Sequence, residues 1–224
     1  MAKKRVTRKQ LLKQPDEFIT TTGRLISWAR ENTRALVWGA GIFIGVVLVI
    51  SAYGIFRADR ASKAQALLSR AMVKYQAQAG DDQAAKALAA AQADFDILLK
   101  SYARQPAGRL GRIIFGHYCL AAEAYDDAVE NYQVALEEFK KEPSLANVIM
   151  NGLASAHQQK GEYAQAMNYY KQIAAGTDSM LQDAALFNLG SLHAQMGQTA
   201  EREEVFGRLL TDFPDSFYAG LVRK

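Results

Sequence analysis

The chain has 224 residues, half of them hydrophobic, a single cysteine and a formal charge of +4. The excess is local: residues 1–34 hold nine Lys or Arg against three acidic residues, whereas residues 57–224 hold 18 against 20. With no basic face in the larger part and no nucleic-acid motif, nucleic acid is not an expected partner, and Cys119 alone permits no intramolecular disulfide.

The chain opens on a basic tail, Lys3, Lys4, Arg5, Arg8, Lys9 and Lys13, of the kind an anionic membrane surface attracts by roughly 1 kcal/mol per charge. Pro15-Asp16-Glu17 reads as a helix start, because proline fits the first turn and acids suit the positive end of the helix. Phe18, Ile19, Thr22, Leu25, Ile26 and Ala29 then recur on one helical face, and Trp28 stands near the following apolar run. That makes a candidate interfacial helix, with a loose helical leader as the alternative because Gly23 weakens it.

Ala35–Phe56 contains no charged side chain over 22 residues. As a helix it reaches roughly 33 Å, enough for a hydrocarbon core of about 30 Å. Apolar residues cover every face, unlike an amphipathic core helix, and Ile50-Ser51-Ala52, the best small-residue cleavage site, lies inside the run, unlike a signal peptide. The expectation is a single transmembrane helix at 35–56 between a cytoplasmic tail, 1–34, and a domain at 57–224. Nine Lys or Arg in the tail against five in the 20 residues after the run set that orientation. In a bacterium the domain is then periplasmic. The Gly41/Gly45 pair offers close backbone approach, and through it a homo-oligomer, as a weak signal.

No helix stop occurs after Arg57 until Gly80-Asp81-Asp82, so the membrane helix is expected to run on through Ala64, Leu68, Ala71 and Tyr75. A second helix over roughly 83–103 follows, ending in the stripe Phe95, Leu98, Leu99 and Tyr102. From Gly108 the chain repeats. Phe115-Gly116 leads to Tyr125, Ala128, Tyr132, Ala135 and Leu136. Leu153-Ala154 leads to Gly161, Tyr163, Ala166, Tyr170 and Ile173, and Leu189-Gly190 leads to Gly197, Phe206, Leu209, Leu210 and Pro214. The offsets are 38 and 36 residues. This pattern resembles the tetratricopeptide repeat, in which a small residue marks the helix crossing and aromatics fill the space between hairpins. Departures are Thr199 and Arg202 at the aromatic and alanine positions of the third unit. Pro214-Asp215-Ser216 starts a final short helix over 217–223. The fold class is all-α: one membrane helix, then an α-solenoid of tetratricopeptide-like hairpins.

Catalysis finds no support, and neither cofactor nor metal is expected. His117, His157 and His193 fall one per repeat with no ligand spacing, which suits packing. Cys119 reads as a buried, inert thiol at a packing-aromatic position, and Asp126-Asp127 and Glu137-Glu138 as solvated helix faces.

Arg30-Glu31-Asn32-Thr33-Arg34-Ala35-Leu36, the glycine-containing run and Arg60-Ala61-Ser62-Lys63-Ala64 resemble the bacterial ancillary subunit family of the Sec translocon. The longer basic tail and more regular repeats depart from that family. The resemblance implies an inner-membrane protein working beside the translocon and periplasmic chaperones. The function expected is an anchored protein-interaction scaffold, with exported proteins and membrane lipids as partners; the alternative is a structural subunit of a stable envelope or respiratory complex. Carrying the repeat register across places Leu110, Ile113, His117 and Leu120, then Asn151, Ser155 and Gln158, then Phe187, Ser191 and Gln195 in the ligand groove. None is cationic, so the groove is expected to refuse acidic C-terminal tails and to take apolar anchors. The alternative is that residues 217–223 or the long helix fills it.

Overall fold

The computed structural model describes residues 17–80 and 83–223, with side-chain surroundings from residue 21 onward. The basic cluster at residues 3–13 and the Pro15-Asp16 signal lie outside the described residues. The chain divides into two units, Met1–Ala58 and Asp59–Lys224.

In the first unit, helix α1 (Glu17–Glu31) leaves Leu25, Ile26 and Trp28 exposed. It stops at Asn32, whose side-chain amide donates to the Trp28 carbonyl at 2.9 Å, a local bond that competes with helix continuation. Helix α2 (Thr33–Gln78) runs 46 residues without a break. Every residue from Ala35 to Phe56 is exposed, and the helix is long and apolar enough to cross a membrane.

In the second unit the continuation of α2 becomes amphipathic, burying Ala64, Leu68 and Ala71 at spacings of four and three. Helix α3 (Ala84–Ser101) answers with Ala87, Ala91, Phe95 and Leu98. The pair is antiparallel, since Arg60 meets Ser101 and Arg70 meets Asp94. Asp94 is 3% exposed. Its carboxylate accepts from Arg70 Nε at 3.0 Å to each oxygen and from Arg70 Nη2 at 2.5 Å, and Lys74 Nζ lies 2.8 Å away. A buried carboxylate needs such pairing, and its partners keep their own charges half in water.

Three regular hairpins follow: α4 (Pro106–Ala121) with α5 (Tyr125–Phe139), α6 (Pro143–Gln159) with α7 (Tyr163–Ala175), and α8 (Gln182–Gln195) with α9 (Thr199–Asp212). A six-residue helix, α10 (Phe217–Val222), closes the described chain. Pro106 and Pro143 stand in the first turns of α4 and α6, where a missing N–H costs nothing. The second helices start at Tyr125, Tyr163 and Thr199, which keeps the 38- and 36-residue offsets. Each turn before them uses one left-handed residue: Glu123 at φ 61°, Gly161 at 76° and Gly197 at 72°. In each, the amide just beyond that residue bonds a carbonyl of the first helix's last turn at 2.9 Å: Ala124 to Cys119, Glu162 to His157 and Gln198 to His193.

Those turns correct one expectation. Cys119 does not stand at an aromatic position; it occupies the place that His157 and His193 hold in the later hairpins. It is fully buried, and burial pushes its thiol up to about 12. The core forms two overlapping clusters, one from Ala64 to Ala156 around Phe95, Tyr132 and Leu153, the other from Ala154 to Ala219 around Tyr170, Leu186 and Leu209. Full burial of each large side chain contributes roughly 1.5–3 kcal/mol.

Candidate functional site

The first helices α4, α6 and α8 carry the ten expected groove residues, and glycine lets neighbouring elements approach their backbones. A β-carbon at Gly116 would fall 2.8 Å from Tyr132, one at Gly152 2.5 Å from the same ring, and one at Gly190 closer still to Phe206. The repeat pattern marks Gly116 and Gly190 as crossing residues. It passes over Gly152, because Ala154 holds the aligned position two residues on.

The ten side chains do not form one accessible surface. Leu110 is 43% exposed, His117 and Gln195 are exposed, and Leu120, Asn151, Ser155, Gln158, Phe187 and Ser191 are half-buried. Ile113, expected as an apolar anchor, is 6% exposed and belongs to the first core cluster, so it packs the hairpins and presents nothing to a ligand. The other expected anchor, Phe187, is covered in part by the terminal helix. Its ring centroid lies 5.2 Å from Tyr218 and 6.2 Å from Phe206.

The polar members are tied down by second-helix tyrosines. His117 Nδ1 hydrogen-bonds the Tyr132 hydroxyl, so one edge of the otherwise exposed ring is turned into the protein, and desolvation of that edge holds the imidazole below its ordinary value. Tyr170 donates to Gln158 at 3.3 Å; burial raises its phenol, with Ser155 opposing through a hydrogen bond. Gln195 donates to Tyr163 at 3.0 Å, and Ser191 donates back to the Phe187 carbonyl of its own helix at 2.8 Å. Asn151 Oδ1 is buried without a hydrogen-bond partner among the described residues, so it is closed off from a bound segment.

Two features escape a reading of the sequence alone. His157 Nδ1 lies 2.5 Å from Glu162 and His193 Nδ1 2.6 Å from Gln198, so both histidines brace their own turns across five residues. The shared repeat position is visible in the sequence; the polar partner five residues on is the signal that could have found the brace. Lys160 then reaches both Asp126 of the preceding hairpin at 2.7 Å and Glu162 at 2.9 Å, so Asp126 is not merely solvated. Hydrogen bonding from Lys160 first and His157 second holds the Glu162 carboxyl below its ordinary value. Beside α10 lies an open cavity of about 560 Å³ bounded by Phe187, Phe206, Leu210 and Leu221, with Arg202 and Glu203 at its edge.

Among the described residues no group of three His, Cys, Asp or Glu could hold a metal. Two segments, 149–174 and 183–211, match the tetratricopeptide repeat model. A solved structure, a tetratricopeptide repeat protein from Parabacteroides merdae, is similar in fold with a TM-score of 0.58 at 18% identity. The likeness covers 71% of this chain and 57% of that protein's length. No curated protein matches. Neither likeness points to an enzyme family, and the repeats point to a module that binds other proteins. The chain thus carries tetratricopeptide repeats stacked as an all-α solenoid.

Proposed function

We propose that this chain is a membrane-anchored scaffold of the bacterial envelope, with Ala35–Phe56 in the inner membrane, residues 1–34 in the cytoplasm and the repeats in the periplasm. There they present helical faces to exported or membrane proteins, in an accessory role to Sec translocation or periplasmic chaperoning. The observation that carries the reading is a fully exposed, charge-free 22-residue run inside the same helix that begins the repeat stack. The lysine and arginine asymmetry supports the orientation. A β-carbon added at Gly41 or Gly45 would meet no neighbouring heavy atom within 4 Å, which leaves that helix face open to a second span. The accessible groove members Leu110, His117 and Gln195 include no cation, which disfavours acidic C-terminal tails.

A second reading, a fixed subunit of a stable envelope or respiratory complex, draws on the burial of Ile113 and the covering of Phe187, which leave little apolar groove for exchanging ligands. Detergent solubilisation, crosslinking and identification of partners separates the two. Translocon components at substoichiometric, substrate-dependent levels support the scaffold; one constant stoichiometric set supports the subunit.

A further inference from the structure

We propose that the face where α10 lies on α8 and α9 is a contact between two copies of this chain, each placing its Phe217 in the other's hollow. The contact is separate from the anchoring proposed above and does not depend on it. Phe217 is 75% exposed, more than any other large hydrophobic side chain described in the second unit. It is nevertheless held in place. Ser216 Oγ donates to Asp183 Oδ2 at 2.6 Å and accepts from the Tyr218 amide at 3.1 Å, and the Tyr218 ring rests on Phe187 with centroids 5.2 Å apart. A turn fixed on both sides of Phe217 presents the ring without the entropy cost of ordering it on contact. Leu221 stands one turn further on the same face of α10 and lines the hollow of about 560 Å³ together with Phe206 and Leu210. An exposed aromatic knob and an apolar hollow thus lie side by side on one face.

That pairing selects the occupant. When a knob and a hollow share a face, a two-fold axis midway between them brings each copy's knob over the other's hollow. Both are then filled at once, and the assembly closes as a dimer. A phenyl ring fits an apolar cavity of roughly 150 Å³, so the hollow has room for the ring together with the turn that bears it. Residues 217–222 carry no charged side chain. The hollow's rim carries one cation and one anion, Arg202 and Glu203, 3.5 Å apart. Two copies therefore meet there without net charge between them, whereas a strongly charged partner gains nothing from such a rim. The Arg202 guanidinium at the hollow's edge also suits the face of an inserted ring. Leu221, between knob and hollow, falls beside the axis and opposite its own copy.

The full chain in detergent micelles is weighed by sedimentation equilibrium over a wide range of concentration. A monomer–dimer equilibrium is expected, and Phe217→Ser, a change at an exposed position, should raise its dissociation constant about thirtyfold or more, because the dimer loses its central aromatic anchors. Monomer throughout, or a series of ever larger species in place of a dimer, overturns the two-fold contact. A dimer that Phe217→Ser leaves intact and Gly41→Leu/Gly45→Leu abolishes overturns it as well, in favour of contact through the apolar run. Disulfide trapping with copper phenanthroline in air reads the geometry without relying on how the serine variant folds. Leu221→Cys should crosslink to its own copy, and Ile97→Cys, similarly exposed on α3, should not, while the buried Cys119 stays out of both reactions. Equal trapping at the two positions, or none at 221, overturns the assignment.

Discussion

The ring of Tyr132 lies against Gly152 so closely that a β-carbon there would meet its Cζ at 2.5 Å, while the ring's other side bears on Gly116. One aromatic of the first regular hairpin is thus keyed between its own first helix and the first helix of the next, and it is fully buried. Tyr132→Ala should cost about 3–5 kcal/mol, as for large buried aromatics. Gly152→Ala should cost about 1–3 kcal/mol by overpacking, and much less when Tyr132 is already alanine. Urea unfolding of the parent, both single variants and the double variant measures this; equal effects of Gly152→Ala in both backgrounds would show that the two residues are not coupled.

The three hairpin turns share one left-handed position, filled by Gly161, Gly197 and, in the first, Glu123. An L side chain there costs roughly 1 kcal/mol. Glu123→Gly should therefore stabilise by about 0.5–1 kcal/mol, and Gly161→Ala should destabilise by a similar amount. Thermal melts of both variants read the signs directly, and a Glu123→Gly protein that melts lower would contradict the turn geometry.

Hydrogen bonding from Arg70 holds the Asp94 carboxyl below the usual carboxylate range, with Lys74 adding to it and burial opposing both. A carboxylate whose folded value is depressed contributes stability that is fully present above its unfolded value, about 3.9, and is lost as pH falls through the lower folded value. Asp94→Asn should therefore be less stable than the parent at neutral pH, with the gap in urea midpoint closing below about pH 4. A gap that is constant with pH would assign the loss to packing and not to charge.

Ile113 and Leu110 sit one turn apart on α4, the first in the core and the second exposed. Ile113→Asp should abolish cooperative unfolding, because a carboxylate cannot be buried there unpaired. Leu110→Asp should leave the melting temperature within about 2 °C of the parent, since exposed substitutions are usually worth less than about 0.5 kcal/mol. Leu110→Asp is accordingly the groove variant to carry into partner capture.

The proposed topology is readable through thiol labelling of intact cells. Cys119 is buried, and its thiol, pushed up to about 12, leaves almost no thiolate at neutral pH, so the native cysteine should stay silent. A Gln159→Cys substitution, at the exposed last residue of α6 just before the turn at Gly161, should be labelled by a membrane-impermeant maleimide without permeabilisation. Labelling that requires opening the inner membrane would reverse the orientation.

Periodicity determined most of the architecture. The charge-free run and the absence of a stop before Gly80 give one long helix, because helix formation depends on neighbouring residues and nothing there interrupts it. The 38- and 36-residue offsets mark the hairpins, since residues such as Gly116, Gly190, Tyr132 and Tyr170 are required wherever two helices must approach and an aromatic must fill the gap. What the sequence could not decide was which side of that pattern remains open. Ile113 and Leu110 are alike in type and lie on neighbouring turns, yet only tertiary packing buries one and exposes the other. Phe187 is half-hidden because Tyr218, 31 positions away, lies over it. Lys160 joins Asp126 for the same reason, as does Arg60 the loop at Ser101. Each is a contact between residues distant in the chain, which local propensity and period do not encode and which exists only once the hairpins have stacked.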